Sequence, residues 1–206
     1  MIEQRNFDAI AASWDEEPRR VELAGEIAEA IRGTLPLSAE WDAMDFGCGT
    51  GLVTLHLAPF LRSILAVDSS RGMLDRLDAK VQAAGVENVR TFMAEQLLDE
   101  PTAARFNLIT SAMTLHHIQD IVPLLRSFHA RLQPGGYVAL ADLETEDGTF
   151  HEDPTGVFHS GFSREGLAEL LGLAGFSSIS VRSVTEIRKG ERRFPVLLAT
   201  ATHRFG

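Results

Sequence analysis

The chain has 206 residues, of which 45% are hydrophobic and 23% charged. That length and composition fit one globular domain, 1–206, with a full core, and exclude a disordered or low-complexity chain. The formal net charge of −10 repels phosphate backbones, so no nucleic-acid partner is expected.

The lone cysteine, Cys48, permits no intrachain disulfide and fits a reducing compartment. No stretch approaches the roughly 20 apolar residues of a membrane helix. The opening residues, with Glu3, Arg5 and Asp8, lack the apolar core of a signal peptide. A cytoplasmic protein without membrane contact is expected, as a monomer or homodimer.

The chain reads as helical to about Thr34. Phe7, Ile10, Ala11 and Trp14 recur at helical spacing, and Pro18 suits the first turn of a second helix. Trp41 to Phe46 reads as a strand, followed by a glycine-rich turn and a helix from Leu52 to about Leu61. Ser63 to Val67 is a second strand, ending at Asp68. Arg71 to Ala84 is a helix with Gly85 beyond its end. Val89 to Ala94 and Phe106 to Ser111 are the next strands, and a helix follows Asp120. Gly135-Gly136 turns the chain into a fifth strand, Tyr137 to Ala141. Ser163 to Ala174 is a helix closed by Gly175. Ser178 to Val184 and Phe194 to Thr202 are final strands, with a charged loop between them. Such alternation predicts a mostly parallel sheet with helices on both faces, ending in an antiparallel pair.

Asp45-Phe46-Gly47-Cys48-Gly49-Thr50-Gly51 follows a strand and opens a helix. Glycines there permit a tight turn and close approach of backbone amides to a ligand. Asp68 ends the next strand, where an acid accepts hydrogen bonds from both ribose hydroxyls. A dinucleotide enzyme would show G-x-G-x-x-G around a pyrophosphate. Here the spacing is G-x-G-x-G and Asp45 precedes it. That acid repels pyrophosphate and suits a ligand carrying an ammonium group.

This segment resembles the first motif of class I S-adenosylmethionine-dependent methyltransferases. The resemblance continues through Ala66-Val67-Asp68-Ser69-Ser70, Phe106 to Ser111, Leu115-His116-His117-Ile118 and Leu132 to Gly136, and the loop 144–161, with Phe150, Phe158 and Phe162 among acids and histidines, resembles the small-metabolite and quinone branch of the class. It implies a Rossmann-like seven-stranded sheet of order 3-2-1-4-5-7-6, its last strand antiparallel, with S-adenosylmethionine at the C-terminal strand ends and S-adenosylhomocysteine as product. It also implies that Gly47, Cys48, Gly49 and Gly51 pack against the cofactor, with Asp45 near its ammonium. Asp68 would bind the ribose, Ser69 and Met73 the adenine, and Ala94, Glu95 and Gln96 the adenine amino group, though Glu95 stands where Asp is common. Ser111, Ala112 and Met113 would lie beside the methyl group. Residues 1–34 would be a helical lid, with Trp14 and Phe7 either over the cofactor or in the core.

Ser111-Ala112-Met113-Thr114 stands where an Asn/Asp-Pro-Pro-Tyr/Phe motif would mark methylation of a planar amine. Arg188, Lys189, Arg192 and Arg193 alternate with Glu186 and Glu191 and read as a solvated loop. His116 and His117 follow the fourth strand, and His151 and His159 lie in a long loop, 144–161, with Phe150 and Phe158. Both segments reach the rim where substrates bind. His116, His151 and His159 are therefore candidates for catalysis or substrate binding, against a reading as ordinary loop residues. Histidine and carboxylate are common divalent ligands, but no spacing here matches a ligand motif, so no metal is expected. The leading expectation is methyl transfer to a small molecule. A protein or RNA methyltransferase with a partner subunit, and a non-catalytic cofactor binder, are the alternatives.

Overall fold

The structure is a computed structural model and describes residues 6–97 and 105–204. Its strands are β1 (Asp42–Phe46), β2 (Ser63–Asp68), β3 (Val89–Met93), β4 (Phe106–Ala112), β5 (Leu132–Leu143), β6 (Ser177–Lys189) and β7 (Arg192–Thr202). They form one sheet in the order β3-β2-β1-β4-β5-β7-β6. All neighbours are parallel except β7, which runs antiparallel to both β5 and β6. The order reverses at β1, which pairs with β2 on one side and β4 on the other. In open α/β sheets such a switch point, at the C-terminal strand ends, is where ligands bind.

Period-two alternation divides the core between two faces. Ala43, Ala66, Leu108, Ala139 and Leu198 join helices α1 (Pro18–Thr34), α2 (Leu52–Leu57) and α3 (Arg71–Ala84) on one side. A fourth short helix, α4, is Ala94–Leu97. Met44, Val67, Ile109, Val138 and Ala199 face α5 (Ile121–Arg131) and α6 (Arg164–Leu173) on the other side. Phe128 and Leu125 of α5 are fully buried, a contribution of about 1.5–3 kcal/mol each. Local capping sets helix ends: Ser70 accepts from the Met73 amide at 3.1 Å, and Ser163 from that of Gly166 at 3.0 Å. No helix among the described residues is long and apolar enough to cross a membrane.

Three expectations need correction. Asp8–Glu16 is a 3-10 helix, so its apolar residues follow a tighter spiral than the helical period assumed. The helix after Gly51 ends at Leu57 and tightens into a 3-10 turn, Ala58–Phe60, because Pro59 has no amide hydrogen to continue the α pattern. Finally, Arg188, Lys189, Arg192 and Arg193 lie on paired strands rather than in a loop. Arg188 faces Arg193 across the ladder, and Glu186 offsets that repulsion by pairing with both, at 2.8 and 3.3 Å. Asp147 pairs with Arg192 at 2.6 Å.

Candidate active site

The glycine-rich loop is stitched to the neighbouring strand by its own backbone. The amides of Gly47 and Cys48 donate to the Val67 carbonyl at 2.7 and 3.0 Å. Gly47 has φ +71°, and a Cβ on it would lie 2.3 Å from the Thr114 hydroxyl. Gly51 has φ +80°, and a Cβ there would meet Leu77 at 2.2 Å. The first glycine thus holds the loop against the segment after β4, and the third seats the start of α2 on α3.

Asp68 is fixed by two amides: Gly49 donates to Oδ2 at 2.8 Å and Ser70 to Oδ1 at 2.9 Å. Burial pushes its carboxyl up, and the amide bonds pull it back down. Each oxygen has a second lone pair, so the carboxylate suits a vicinal diol. Asp45 lies behind the loop, buried, accepting from the Thr54 hydroxyl. Burial pushes its carboxyl up to about 7, against the Thr54 hydrogen bond. Cys48 is buried with its thiol pushed well up by desolvation, which makes it a small packing residue rather than a nucleophile.

Ser69 is exposed at the rim, whereas Met73 is buried. Ala94 is half-buried and Glu95 exposed at the start of α4; the Gln96 side chain falls outside the described residues. The Ser111 hydroxyl donates to the Phe46 carbonyl at 2.8 Å and ties the ends of β4 and β1 together. Ala112 and Met113 are half-buried beyond it. Met113 has φ +54°, a left-handed conformation that costs about 1–2 kcal/mol for a side chain of this kind. The hydrogen bond from its amide to the Ala141 carbonyl, at 2.8 Å, holds it there. Strain of this kind gathers at functional sites.

The N-terminal 3-10 helix lies against the site through two acids that sequence reasoning passed over. Asp8 accepts from the Ser70 hydroxyl and the Gly72 amide, at 2.6 and 2.7 Å, and these bonds hold its carboxyl below the usual range. Asp15 accepts from Thr50 at 2.5 Å and from Lys80 at 2.8 Å. Trp14 is half-buried, with the Arg20 guanidinium 3.8 Å from its ring centre. Phe7 packs edge-on against both Trp14 and His117.

Beyond Thr114, a 3-10 turn (Leu115–His117) carries two histidines. His116 and Asp142 are both buried, with His116 Nδ1 2.6 Å from Asp142 Oδ1. The other oxygen, Oδ2, accepts the His116 amide at 3.3 Å, and Oδ1 also accepts the Leu143 amide at 2.8 Å. A carboxylate only accepts, so Nδ1 is the donor of this bond, and in the neutral ring the lone pair lies on Nε2. His117 Nδ1 is 2.7 Å from the Gly156 carbonyl, which only accepts, so Nδ1 is the donor there too. His151 arrives from the loop after β5, its ring 4.9 Å from that of His116 and 5.7 Å from that of His117. The structure thus brings together His116 and His151, with His117 added. His159 stands apart from this group: its Nε2 bonds the Ile118 carbonyl at 2.9 Å and its ring packs on Phe162. The grouping joins two loops far apart in sequence, so spacing carries no signal of it.

A family model described as a methyltransferase domain matches residues 16–181. An uncharacterized methyltransferase of Schizosaccharomyces pombe is 29% identical over 153 residues, which cover 67% of this chain and 54% of that protein. The 27-O-demethylrifamycin SV methyltransferase of Amycolatopsis mediterranei is 27% identical over 133 residues, covering 63% of this chain and 49% of that enzyme. The chain therefore spans about half the length of these curated relatives. In fold it is similar to a methyltransferase solved in complex with the Haloferax volcanii Trm112 methyltransferase activator. That likeness has a TM-score of 0.79 at 16% identity, over 98% of this chain and 99% of the other.

Proposed function

The chain belongs to the methyltransferase domain family, in the class I S-adenosylmethionine-dependent group, and on that premise we propose that it methylates a proton-bearing atom of a partly apolar small molecule. The observation that carries this reading is the junction at Gly47. The glycine loop and Asp68 form the cofactor half, and Thr114, packed on Gly47, leads within two residues to the Asp142-backed His116.

The residues present fit the cofactor. Asp68 offers a preset pair of acceptors for the ribose hydroxyls, Gly47, Cys48, Gly49 and Gly51 keep the loop thin, and Asp45 supplies a carboxyl toward the ammonium end. S-adenosylmethionine supplies a methyl group already activated on its sulfonium, so the protein has chiefly to align the acceptor and exclude water. Ser111, Ala112 and the strained Met113 form the wall beside the methyl position. Trp14 and Phe7, pinned by Asp8 and Asp15, close the site from above. His116 presents Nε2 toward the acceptor, and Asp142 keeps its tautomer. Phe150 and Phe158, on the loop 144–161, offer the apolar wall of a small-molecule pocket.

Two of the relatives bear on the acceptor. The name of the rifamycin enzyme supports small-molecule O-methylation. The second reading is a catalytic subunit that works with a partner, as the methyltransferase of similar fold is bound to an activator. The experiment is calorimetric titration with S-adenosylmethionine, S-adenosylhomocysteine and NAD. A metabolite screen for S-adenosylhomocysteine production then follows, with and without an added lysate fraction. Binding of the first two ligands with turnover of a small hydroxylated compound by the chain alone supports the proposal. Turnover only of macromolecules in lysate selects the second reading, and binding of NAD alone overturns both.

A further inference from the structure

We propose that His116, His117 and His151 form a binding site for a divalent transition metal of the zinc type. Each ring offers one nitrogen, and the three nitrogens lie within 4.8 Å of one another. A tetrahedral ion about 2.0–2.1 Å from each would set them about 3.4 Å apart, so modest side-chain rotations close the set. Two rings come from the rigid turn after β4, and His151 comes from the loop after β5. One short movement of that loop therefore completes the triad.

Convergence alone would leave a packing cluster as an equal reading. The tautomers argue for more. A metal-ligating histidine almost always donates its other ring N–H to a carboxylate or a backbone carbonyl, which fixes the ring and raises its basicity. Here His116 Nδ1 is held by the buried Asp142 carboxylate, at 2.6 Å, and His117 Nδ1 by the Gly156 carbonyl, at 2.7 Å. In the neutral rings both arrangements leave the lone pair on Nε2, on two rings whose centres are 4.2 Å apart. A shared dication would use a lone pair of each ring, and the buried Asp142 carboxylate would offset part of its charge. Next in sequence to His151, Phe150 carries the Lys189 ammonium over its ring and bonded to its carbonyl, so that cation is engaged by the loop itself. Three imidazoles favour zinc, copper, nickel or iron over magnesium or calcium.

A three-histidine site leaves a fourth position for water or for an oxygen of the acceptor. This deepens the methyltransferase reading and rests on it in one respect, the identity of that oxygen. An acceptor hydroxyl bound there would lose its proton to solvent more readily, the metal stabilising the oxyanion that then takes the methyl group. His116 then acts as a ligand, with Asp142 as its positioning residue.

The test uses the untagged full chain, stripped with a chelator and titrated with zinc and with cobalt(II). Calorimetry reads stoichiometry and affinity, and the visible spectrum of cobalt reads its ligand set. One ion per chain is expected, with a cobalt spectrum of low coordination number. His151→Gln and His117→Gln should each weaken binding at least tenfold, and Asp142→Asn about 10–100-fold. His203→Gln, which alters a histidine pair elsewhere on the chain, should not change it. Absence of stoichiometric binding, or equal affinity in wild type and His151→Gln, overturns the site. His151 lies on a loop, so it decides the matter should the His117 variant fail to fold. Titration of the metal-free protein with S-adenosylmethionine separates the two readings. Cofactor binding without metal binding sinks the metal site alone, and metal binding without cofactor binding sinks the methyltransferase reading alone.

Discussion

Replacing Asp45 by asparagine probes the most perturbed carboxyl of the site. Burial raises Asp45 from the ordinary aspartate value to about 7. Between those two values the native state keeps a proton that the unfolded chain has released. Stability is therefore greatest below the unfolded value and falls as pH rises through the folded one. A difference of about three pH units corresponds to about 4 kcal/mol by the top of the window. The substituted amide does not titrate, yet its oxygen can still accept the Thr54 hydroxyl. The assay is urea unfolding of both proteins without ligand, from pH 4.5 to 8.5. The other carboxylates largely cancel in the difference between the two. Asp45→Asn should therefore gain on wild type as pH rises, by about 3 kcal/mol across this range, and level off by about pH 8. A flat difference across that range would refute the claim that the carboxyl is buried and protonated. A cofactor ammonium favours the charged carboxylate, so S-adenosylmethionine binding below about pH 7 should release a proton, visible as a buffer-dependent binding enthalpy.

Asp68→Ala should weaken S-adenosylmethionine binding by about 1.5–3 kcal/mol, the value of hydrogen bonds to a charged group. Unchanged affinity in a folded variant would remove the ribose assignment. Gly47→Ala places a side chain at φ +71° and drives a methyl into Thr114, so it should cost at least about 1–2 kcal/mol in urea unfolding and displace the turn carrying His116. Asp8→Ala and Asp15→Ala each release one tether of the N-terminal 3-10 helix. Hydrogen exchange at residues 8–16 should quicken on the order of tenfold while the sheet amides stay protected. Equal exchange would show that aromatic packing, not the acids, holds this segment.

Elements whose residues act locally were legible in the sequence. Arg71–Ala84 carries its own stop signals, Ser70 before it and Gly85 after it, and its bounds match the expectation. The glycine loop announces itself because φ > 0 can be met cheaply only by glycine. The hairpin of β6 and β7 was read too short because its charged residues look like loop in one dimension. Only the cross-strand register shows Glu186 neutralising Arg188 and Arg193. Asp8 and Asp15 were silent for a related reason, since their partners Ser70, Gly72, Thr50 and Lys80 are 35 or more residues away. Met113 gave no warning, because an unfavourable backbone angle on a methionine is imposed by its neighbours and not encoded in its type.

The two halves of the site are built differently, and that difference bears on what each can specify. The cofactor half is made of backbone: Val67 and Asp68 fix the glycine loop through amides, and strand pairing on both sides of β1 fixes them in turn. A surface held this way has little freedom to vary, which suits a ligand common to a whole class. The acceptor half is made of side chains on loops. His151 and Phe150 ride on a segment held by backbone bonds at Glu146–Ser160 and Phe158–His116 and, between them, by the side chains of Arg192 on Asp147, Lys189 on Phe150 and His117 on Gly156. Such a wall changes by substitution without disturbing the sheet. His116 is the exception on that side. Its ring is locked to Asp142 of β5, buried at the point where β4 and β5 end together. A group meant only to shape a pocket has no need of a buried carboxylate behind it, because that arrangement desolvates an ion and costs stability unless well compensated. A ring that must be held in one orientation does need one. On the proposed reading, the reactive chemistry of the acceptor side belongs to His116 and its two neighbouring rings, and acceptor selectivity to the rest of the loop.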